Sequence, residues 1–303
     1  MIRLDHREAM PEHLRGAILA LGNFDGFHLG HQAVVGEALR WARAEGRPGI
    51  VATFDPHPMQ HFRPGAAPFH LTTLDQRQDL FAAAGADAML VFHFDGDMAQ
   101  MPAPQWAQGM ISQHLGAAGI VTGEDFTFGK NRGGSPALLR ERGVAARTVP
   151  AVHDDIGPIS STRIRAALQA GECATATRLL TRPFAVRGTV QHGDKLGRSI
   201  GYPTANLDLG QYLRPRYGIY AVTGRLPDGR MVKGAANLGI RPTFDPPKEL
   251  LEPYFFDFTG DLYSQEIEVA LHHFLRPEAK FDTLDTLTAQ IEQDCAEARR
   301  LLA

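Results

Sequence analysis

Cysteine and tryptophan are scarce, with two of each among 303 residues. Cys173 and Cys295 stand far apart, which leaves neither the paired spacing of a zinc site nor the framework of a disulfide-stapled secreted domain. Both read as ordinary thiols. No run of 18 or more apolar residues occurs, so no membrane-spanning helix is expected. The opening segment, "MIRLDHREAMPEHLRG", is charged and lacks an apolar signal core, which makes a cytoplasmic location the expectation. An excess of one charge is missing too. Lys and Arg number 31 against 34 Asp and Glu, a net of −3, so no broad positive field invites nucleic acid or an anionic membrane. Neither is expected as a partner. Internal repeats and low-complexity linkers are absent, and nothing in the chain reports an oligomeric state. What is present is an ordinary globular composition, 44% hydrophobic and 21% charged, over a length that suggests two domains.

The two halves differ in rhythm. From Ala17 to Gly171, short apolar runs ("AILALG", "GIVATF", "AMLVFHF", "AGIVTG", "VAARTV") alternate with helix-like segments ("HQAVVGEALRWARA", "LDQRQDLFAAAG", "PQWAQGMISQHL"). That βαβα alternation predicts a doubly wound parallel sheet of Rossmann-like form, with ligands beyond the carboxyl ends of its strands. From Pro183 onward, "FAVRGTVQHG", "GIYAVTGRL", "RMVKGAANLG", "EPYFFDFTG" and "SQEIEVALHHF" follow one another without helices. They predict a small antiparallel β-barrel. A final helix carries Leu284, Leu287, Ile291, Cys295 and Ala298 at helical spacing. The expected domains are 1–182 and 183–303.

Two constellations carry chemistry. "GNFDGFHLGHQ", 22–32, follows the first strand and opens a helix near Leu29. Backbone N–H groups and the helix dipole there suit phosphate, His28 and His31 supply imidazole donors, and Gly30 admits a nucleotide close to the backbone. Capping histidines on a surface loop would look the same. "ISSTRIR" places Ser160, Ser161, Thr162, Arg163 and Arg165 at another helix start, with hydroxyls and guanidinium groups to clamp a triphosphate. "TFDPHP" places Asp55 and His57 at the same sheet edge. Such a site suits attack on an α-phosphate with pyrophosphate leaving, where fixed donors stabilise charge developing on oxygens. "GDKLGRSIGYPTANL", 193–207, is not a Walker A motif, yet its Gly193, Gly197 and Gly201 can turn N–H groups toward phosphate. Thr204 and Asn206 share one face of an extended segment and can both reach a Mg2+ ion. A glycine-rich hairpin before a proline-started strand is the alternative. His57 and His61, four apart, lack the third ligand of a zinc site. His272 and His273 lie in a strand and face opposite sides.

In order along the chain, "GNFDGFHLGHQ", "TFDPHP", "GEDFTFG" and "ISSTRIR" resemble the adenylyltransferase module of the bacterial bifunctional riboflavin kinase/FAD synthetase family, itself similar to the wider HxGH nucleotidyltransferases. The resemblance implies that His28 and His31 steady ATP phosphates, with Asn23, Asp25, Gly30 and His57 nearby. It implies that Ser161, Thr162 and Arg163 close over the triphosphate, and that Asp125 and Phe126 lie near FMN. "GRSIGYPTANL", "GIYAV", "GAANLGIRPTF", "LEPYFFDFTGDLY" and "FLRPEAKFDTLDTLTAQI" resemble the riboflavin kinase domain. The resemblance implies Glu252 as the acid that orients and deprotonates the ribityl 5′-hydroxyl, with Asn206 at both flavin and metal and Thr204 at the metal. Riboflavin, FMN, FAD and ATP are the implied substrates and products, and Mg2+ the implied cofactor. A flavin carrier, or an enzyme with one silent domain, is the rival expectation. The sequence departs from the family pattern at Phe27, usually smaller and aliphatic, at Pro253–Tyr254, usually Val–His, and at Ser264, usually glycine.

Overall fold

The computed structural model describes residues 1–192, 201–241 and 248–303. They form two compact units, one of residues 1–67 and 74–160, the other of residues 68–73 and 161–303.

The first unit holds six parallel strands: β1 Ile2–Asp5, β2 Ile18–Leu21, β3 Gly49–Phe54, β4 Ala88–Phe92, β5 Gly119–Gly123 and β6 Ala145–Val149. Their order across the sheet is β1-β4-β3-β2-β5-β6. Alternate residues feed two cores. Leu19, Leu21, Ile50 and Ala52 pack on one face with Trp106 and Ile111, while Ile18, Ala20 and Val51 pack on the other with Val35, Ala38 and Trp41 of helix α1 (Leu29–Ala44). The sheet is therefore doubly wound, as the alternation predicts. At Gly119 a β-carbon would collide with the Trp41 ring, so glycine lets α1 approach β5 closely. Helices α2 (Pro58–Phe62), α3 (Leu74–Ala83) and α4 (Gly96–Gln100) follow β3 and β4. The expected helix over "PQWAQGMISQHL" begins as α5 (Ala103–Gln105) and continues from Trp106 to His114 with wider, π-type winding: Leu115 N–H reaches the Met110 carbonyl, five residues back, at 2.9 Å. Helix α6 (Pro136–Glu141) and a two-residue hairpin, β7 His153–Asp154 with β8 Gly157–Pro158, complete the unit. Strand β1 was not expected. "IRLD" is too short and too polar to register as a buried run, and it forms an edge strand beside β4.

The second unit begins with α7 (Ser161–Ala170) and α8 (Cys173–Leu180). These helices group with the barrel, so the compact units divide at residue 160 rather than at 182, where the strand rhythm changes. Packing supplies the reason: α8 lies on the strands that follow it, and Arg216 N–H bonds to the Leu168 carbonyl at 3.0 Å. The six antiparallel strands are β9 Phe184–Thr189, β10 Leu207–Asp208, β11 Gly218–Arg225, β12 Met231–Arg241, β13 Lys248–Phe255 and β14 Glu266–Arg276, in order β10-β13-β12-β11-β14-β9. A bridge from Gln191 N–H to the Asn206 carbonyl, 2.8 Å, joins the two ends and closes the barrel. Val186, Leu207, Val222, Leu238, Leu251 and Val269 share the inner face. On the outer face Ala221, Ala235 and Phe256 meet Ala298 and Leu302 beneath α9 (Leu284–Leu301). Leu284, expected in that stripe, is 59% exposed, because the packing begins deeper in the helix. Burial pushes both thiols, Cys173 and Cys295, up to about 11.

Candidate active sites

Strands β2, β3 and β4 step outward in one direction from the sheet centre, and β5 and β6 lie on the other side of β2. The reversal between β2 and β5 opens a crevice at their carboxyl ends, the usual ligand position in such sheets. The segment after β2 is Gly22–His31, and the segment after β5 is Gly123–Phe128. Two of the stretches singled out in the sequence, "GNFDGFHLGHQ" and "GEDFTFG", therefore lie at the switch point.

The β2 segment turns sharply. Phe24, Gly26 and Phe27 have φ of 50°, 85° and 44°, in the left-handed region, and such strain in non-glycine residues gathers at functional loops. Both phenylalanines are anchored in the core against Phe81, at 5.8 and 5.2 Å between ring centroids. His28 caps α1: its Nδ1 accepts the His31 N–H at 3.4 Å. With Nδ1 accepting, the ring's other nitrogen, Nε2, is the one in a position to donate. The two imidazoles stack at 3.6 Å with 20° between planes. Gly30 makes room for this stack, since a β-carbon there would lie 3.1 Å from the His28 ring and 3.5 Å from the Ile159 carbonyl.

His57 caps α2 in the same manner, with Nδ1 accepting the Met59 N–H at 3.1 Å. Asn23 is exposed, but Asp25 is 1% exposed, a position suited to shaping the loop from behind. Asp125 is exposed beyond β5, and Phe126 packs on the core beside Phe128. An aromatic row follows the same edge: Phe128 to Trp106 at 4.6 Å, Trp106 to Phe92 at 5.9 Å, Phe92 to Phe54 at 5.3 Å, and Phe54 to Phe94 at 5.9 Å. Ser161, Thr162 and Arg163 form the first turn of α7, in the second unit, with Thr162 exposed. Arg165, grouped with them by sequence, also makes contacts to Phe69. Its Nε donates to the Phe69 carbonyl at 2.9 Å and its guanidinium lies 5.3 Å from the Phe69 ring centroid.

Arg77, on α3, escaped the sequence reading. It is 1% exposed, yet its Nη1 donates to the Asn23 carbonyl at 3.2 Å, Thr53 Oγ1 at 2.9 Å and the Phe54 carbonyl at 3.3 Å. An arginine within "LDQRQDL" reads as an exposed helix residue until the sheet is folded under it.

In the second unit, strand register builds the site. Leu207 pairs with Leu251, which sets Asn206 opposite Glu252, and Glu252 pairs on its other side with Asn237. Asn206, Glu252 and Asn237 therefore stand side by side on the outer face, with directly opposed neighbours about 5 Å apart at Cβ. Asn206 is 6% exposed, and Thr204, two residues before it, is half-buried. Asn237 was not anticipated. Its Nδ2 donates to Glu278 Oε1 at 3.3 Å, and its buried Oδ1 has no hydrogen-bond partner among the described residues. The lone asparagine of "GAANLG" is a legible polar residue in an apolar strand, but only register shows that it neighbours Glu252. Gly201 is exposed with φ of 87°. Gly193 and Gly197 lie outside the described residues. No group of three or more His, Cys, Asp or Glu side chains suited to a metal occurs among the described residues.

The two units match two family models, FAD synthetase over residues 10–163 and riboflavin kinase over residues 180–302. Among curated relatives, the bifunctional riboflavin kinase/FMN adenylyltransferase of Haemophilus influenzae is 38% identical over 292 residues, 94% of either chain. This chain belongs to the bifunctional riboflavin kinase/FMN adenylyltransferase family. The family member from Pseudomonas fluorescens is also 38% identical, covering 97% of this chain and 95% of its own. A crystal structure named as a macrolide-efflux protein from Streptococcus pneumoniae superposes with a TM-score of 0.88 at 31% identity, over 99% of both chains.

Against the riboflavin kinase/FMN adenylyltransferase pattern, the departures have local explanations. Phe27 is buried, with its ring against that of Phe81. Pro253 lacks an N–H, but its carbonyl still accepts from Ala205 at 3.0 Å, just before the two-residue strand β10, where the ladder is short. Tyr254 packs edge-on between Tyr202, at 5.2 Å, and Phe256, at 6.0 Å, and touches the α9 layer. Ser264 adopts φ of 61°, in the left-handed region that glycine enters most easily.

Proposed function

We propose that this chain phosphorylates riboflavin and then adenylylates the product, with the residue roles that follow. In the first reaction the ribityl 5′-hydroxyl attacks the γ-phosphorus of ATP, giving FMN and ADP. In the second the FMN phosphate attacks the α-phosphorus of another ATP, giving FAD and pyrophosphate. Functionally, residues 1–182 carry adenylyl transfer and residues 183–303 carry phosphorylation.

The observation that carries the reading is the occurrence of two separate, chemically distinct polar sites: stacked imidazoles at a helix start on a sheet switch point, and a carboxylate between two asparagines on a barrel. For adenylyl transfer, His28, His31 and the backbone around Gly30 donate to phosphate oxygens, stabilising charge without a protein nucleophile. Asn23 and His57 border the nucleotide, and Asp25 shapes the loop. For Ser161, Thr162 and Arg163, at the start of α7, the triphosphate role is the one that the family resemblance implies. Asp125 and Phe126 meet the flavin, for which the neighbouring aromatic row offers flat apolar surface.

For phosphorylation, Glu252 orients the 5′-hydroxyl and takes its proton. An ordinary carboxylate is a weak base for an alcohol, which suffices because positioning dominates a loose phosphoryl transfer. Gly201, with φ of 87°, offers a turn N–H to phosphate, and the same role for Gly193 and Gly197 is carried by the family resemblance alone. Thr204 and Asn206 offer the oxygen donors that a hard cation prefers, and too few of them to hold it without phosphate, which fits Mg2+ arriving with ATP. When bound, Mg2+ supplies charge neutralisation at the phosphates. Asn206 also borders the flavin.

Soluble nucleotide and flavin substrates suit a cytoplasmic enzyme, and no helix among the described residues is long and apolar enough to cross a membrane. Nothing in either site favours carrying over the efflux name of the S. pneumoniae structure. The test is a time course with riboflavin, ATP and Mg2+, resolving flavins by chromatography. FMN should appear before FAD. His31→Ala should abolish FAD formation and spare FMN formation, and Glu252→Ala should do the reverse when FMN is supplied. FAD output unchanged in His31→Ala would refute the first site, and an unchanged kinase rate in Glu252→Ala the second.

A further inference from the structure

A guanidinium buried to 1% exposure is expensive to desolvate, and an apolar side chain of similar length fills the same space without that cost. Helix α3 therefore gains nothing in packing from arginine at position 77. Its contacts show what the arginine does instead. Nη1 reaches the Asn23 carbonyl, Thr53 Oγ1 and the Phe54 carbonyl, and Nη2 lies 3.7 Å from Asp55 Oδ1. Asn23 belongs to the segment after β2, and the other three lie at or just beyond the end of β3. Thr53 Oγ1 also donates to the Asn23 carbonyl at 2.8 Å, closing a triangle between the loops. Among the described residues Arg77 Nε has no hydrogen-bond partner, and the three bonds from Nη1 all end on these two loops. The nearby opposite charges are Asp25, in the histidine loop, and Asp55. The cation thus offsets carboxylates that would otherwise stand unbalanced behind a polyphosphate site.

We propose that Arg77 is a positioning residue for adenylyl transfer, locking the loop that carries His28 and His31 to the loop that carries Asp55 and His57. The proposal rests on the assignment of that edge as the adenylylation site. Arg77→Met keeps the volume and removes both the bonds and the charge. It should lower kcat for FMN adenylylation at least tenfold and leave the KM for FMN within twofold, because the β5 side of the crevice is untouched. Riboflavin phosphorylation by the same preparation should stay within twofold and serves as the internal standard. Arg77→Lys should recover part of kcat, since one ammonium can bond one loop but not bridge both. A wild-type kcat in Arg77→Met, or equal losses in both activities, would overturn the proposal. If Arg77→Met does not fold, Thr53→Val removes the shared hydroxyl and retains the cation. It should lower the same kcat severalfold, and an unchanged kcat would again overturn the proposal. His31→Ala in parallel separates the two ideas. FAD formation retained there sinks the site assignment and this inference with it, whereas a normal His31→Ala effect beside a silent Arg77→Met sinks only the inference.

Discussion

The Asn206–Glu252–Asn237 row allows a test of Glu252 that does not delete it. Asn237→Asp preserves shape and adds one negative charge on the strand directly beside Glu252. It also replaces the amide that now donates to Glu278 Oε1 at 3.3 Å, leaving three carboxyl groups together. Two unit charges about 6 Å apart interact by roughly 332/(ε·6) kcal/mol, which is about 2.8 at ε of about 20 and about 0.7 in bulk water. For half-buried side chains an intermediate value near 1.4 kcal/mol is appropriate, about one pH unit at about 1.4 kcal/mol per unit. The added charge disfavours ionisation of Glu252, so the acid limb of the kinase profile should move upward by about one pH unit. The assay is kcat/KM for riboflavin phosphorylation between about pH 3.5 and about pH 7.5, a range of roughly four units that brackets ordinary carboxylate titration. Adenylylation of supplied FMN should keep its wild-type profile. A kinase limb that stays in place while the rate falls would refute Glu252 as the titrating group, and a parallel shift in adenylylation would refute a local cause.

Gly30→Ala should separate activity from stability. Alanine improves the first turn of α1 by a few tenths to about 1 kcal/mol, while its β-carbon crowds the His28 ring at 3.1 Å. Thermal stability should hold or rise as FAD formation falls about tenfold, the consequence expected of displaced phosphate donors, and full activity would refute the histidine stack as the phosphate site. His6 is a pH probe of the fold. It is buried, its Nδ1 accepts the His93 N–H at 3.0 Å, and burial lowers its pKa, against the pull of Asp5. The unfolded chain therefore takes up a proton that the folded chain resists, so this contribution is full above the unfolded value of 6.5 and is lost as pH falls below it. Melting temperature should drop from pH 7.5 to 5.5, about a unit either side of the free imidazole value, and His6→Asn should flatten part of that slope. His272, also lowered by burial, retains the rest. A slope unchanged in His6→Asn would show that its titration is not coupled to folding.

The period of the apolar pattern carried much of the architecture. Strands β2 to β6, helix α1, the run of antiparallel strands after Pro183 and helix α9 all follow from short runs, alternation and helical spacing, which are local properties of the chain. So do the residue types of both sites, because phosphate donors, turn glycines and an acid beside amides announce themselves in one dimension. Local order could not show β1, whose four residues matter only as a partner for β4, nor the grouping of α7 and α8 with the barrel, which tertiary packing decides. Nor could it show that Arg77 is buried, that Phe27 turns into the core, or that Asn237 stands beside Glu252. Each of these depends on which residues, distant in sequence, become neighbours across a sheet. The sequence alone determined which chemical groups were available and on what elements. Only the folded register decided which of them meet, because strand pairing and the reversal of strand order between β2 and β5 are relations between separated segments, and no single segment encodes them.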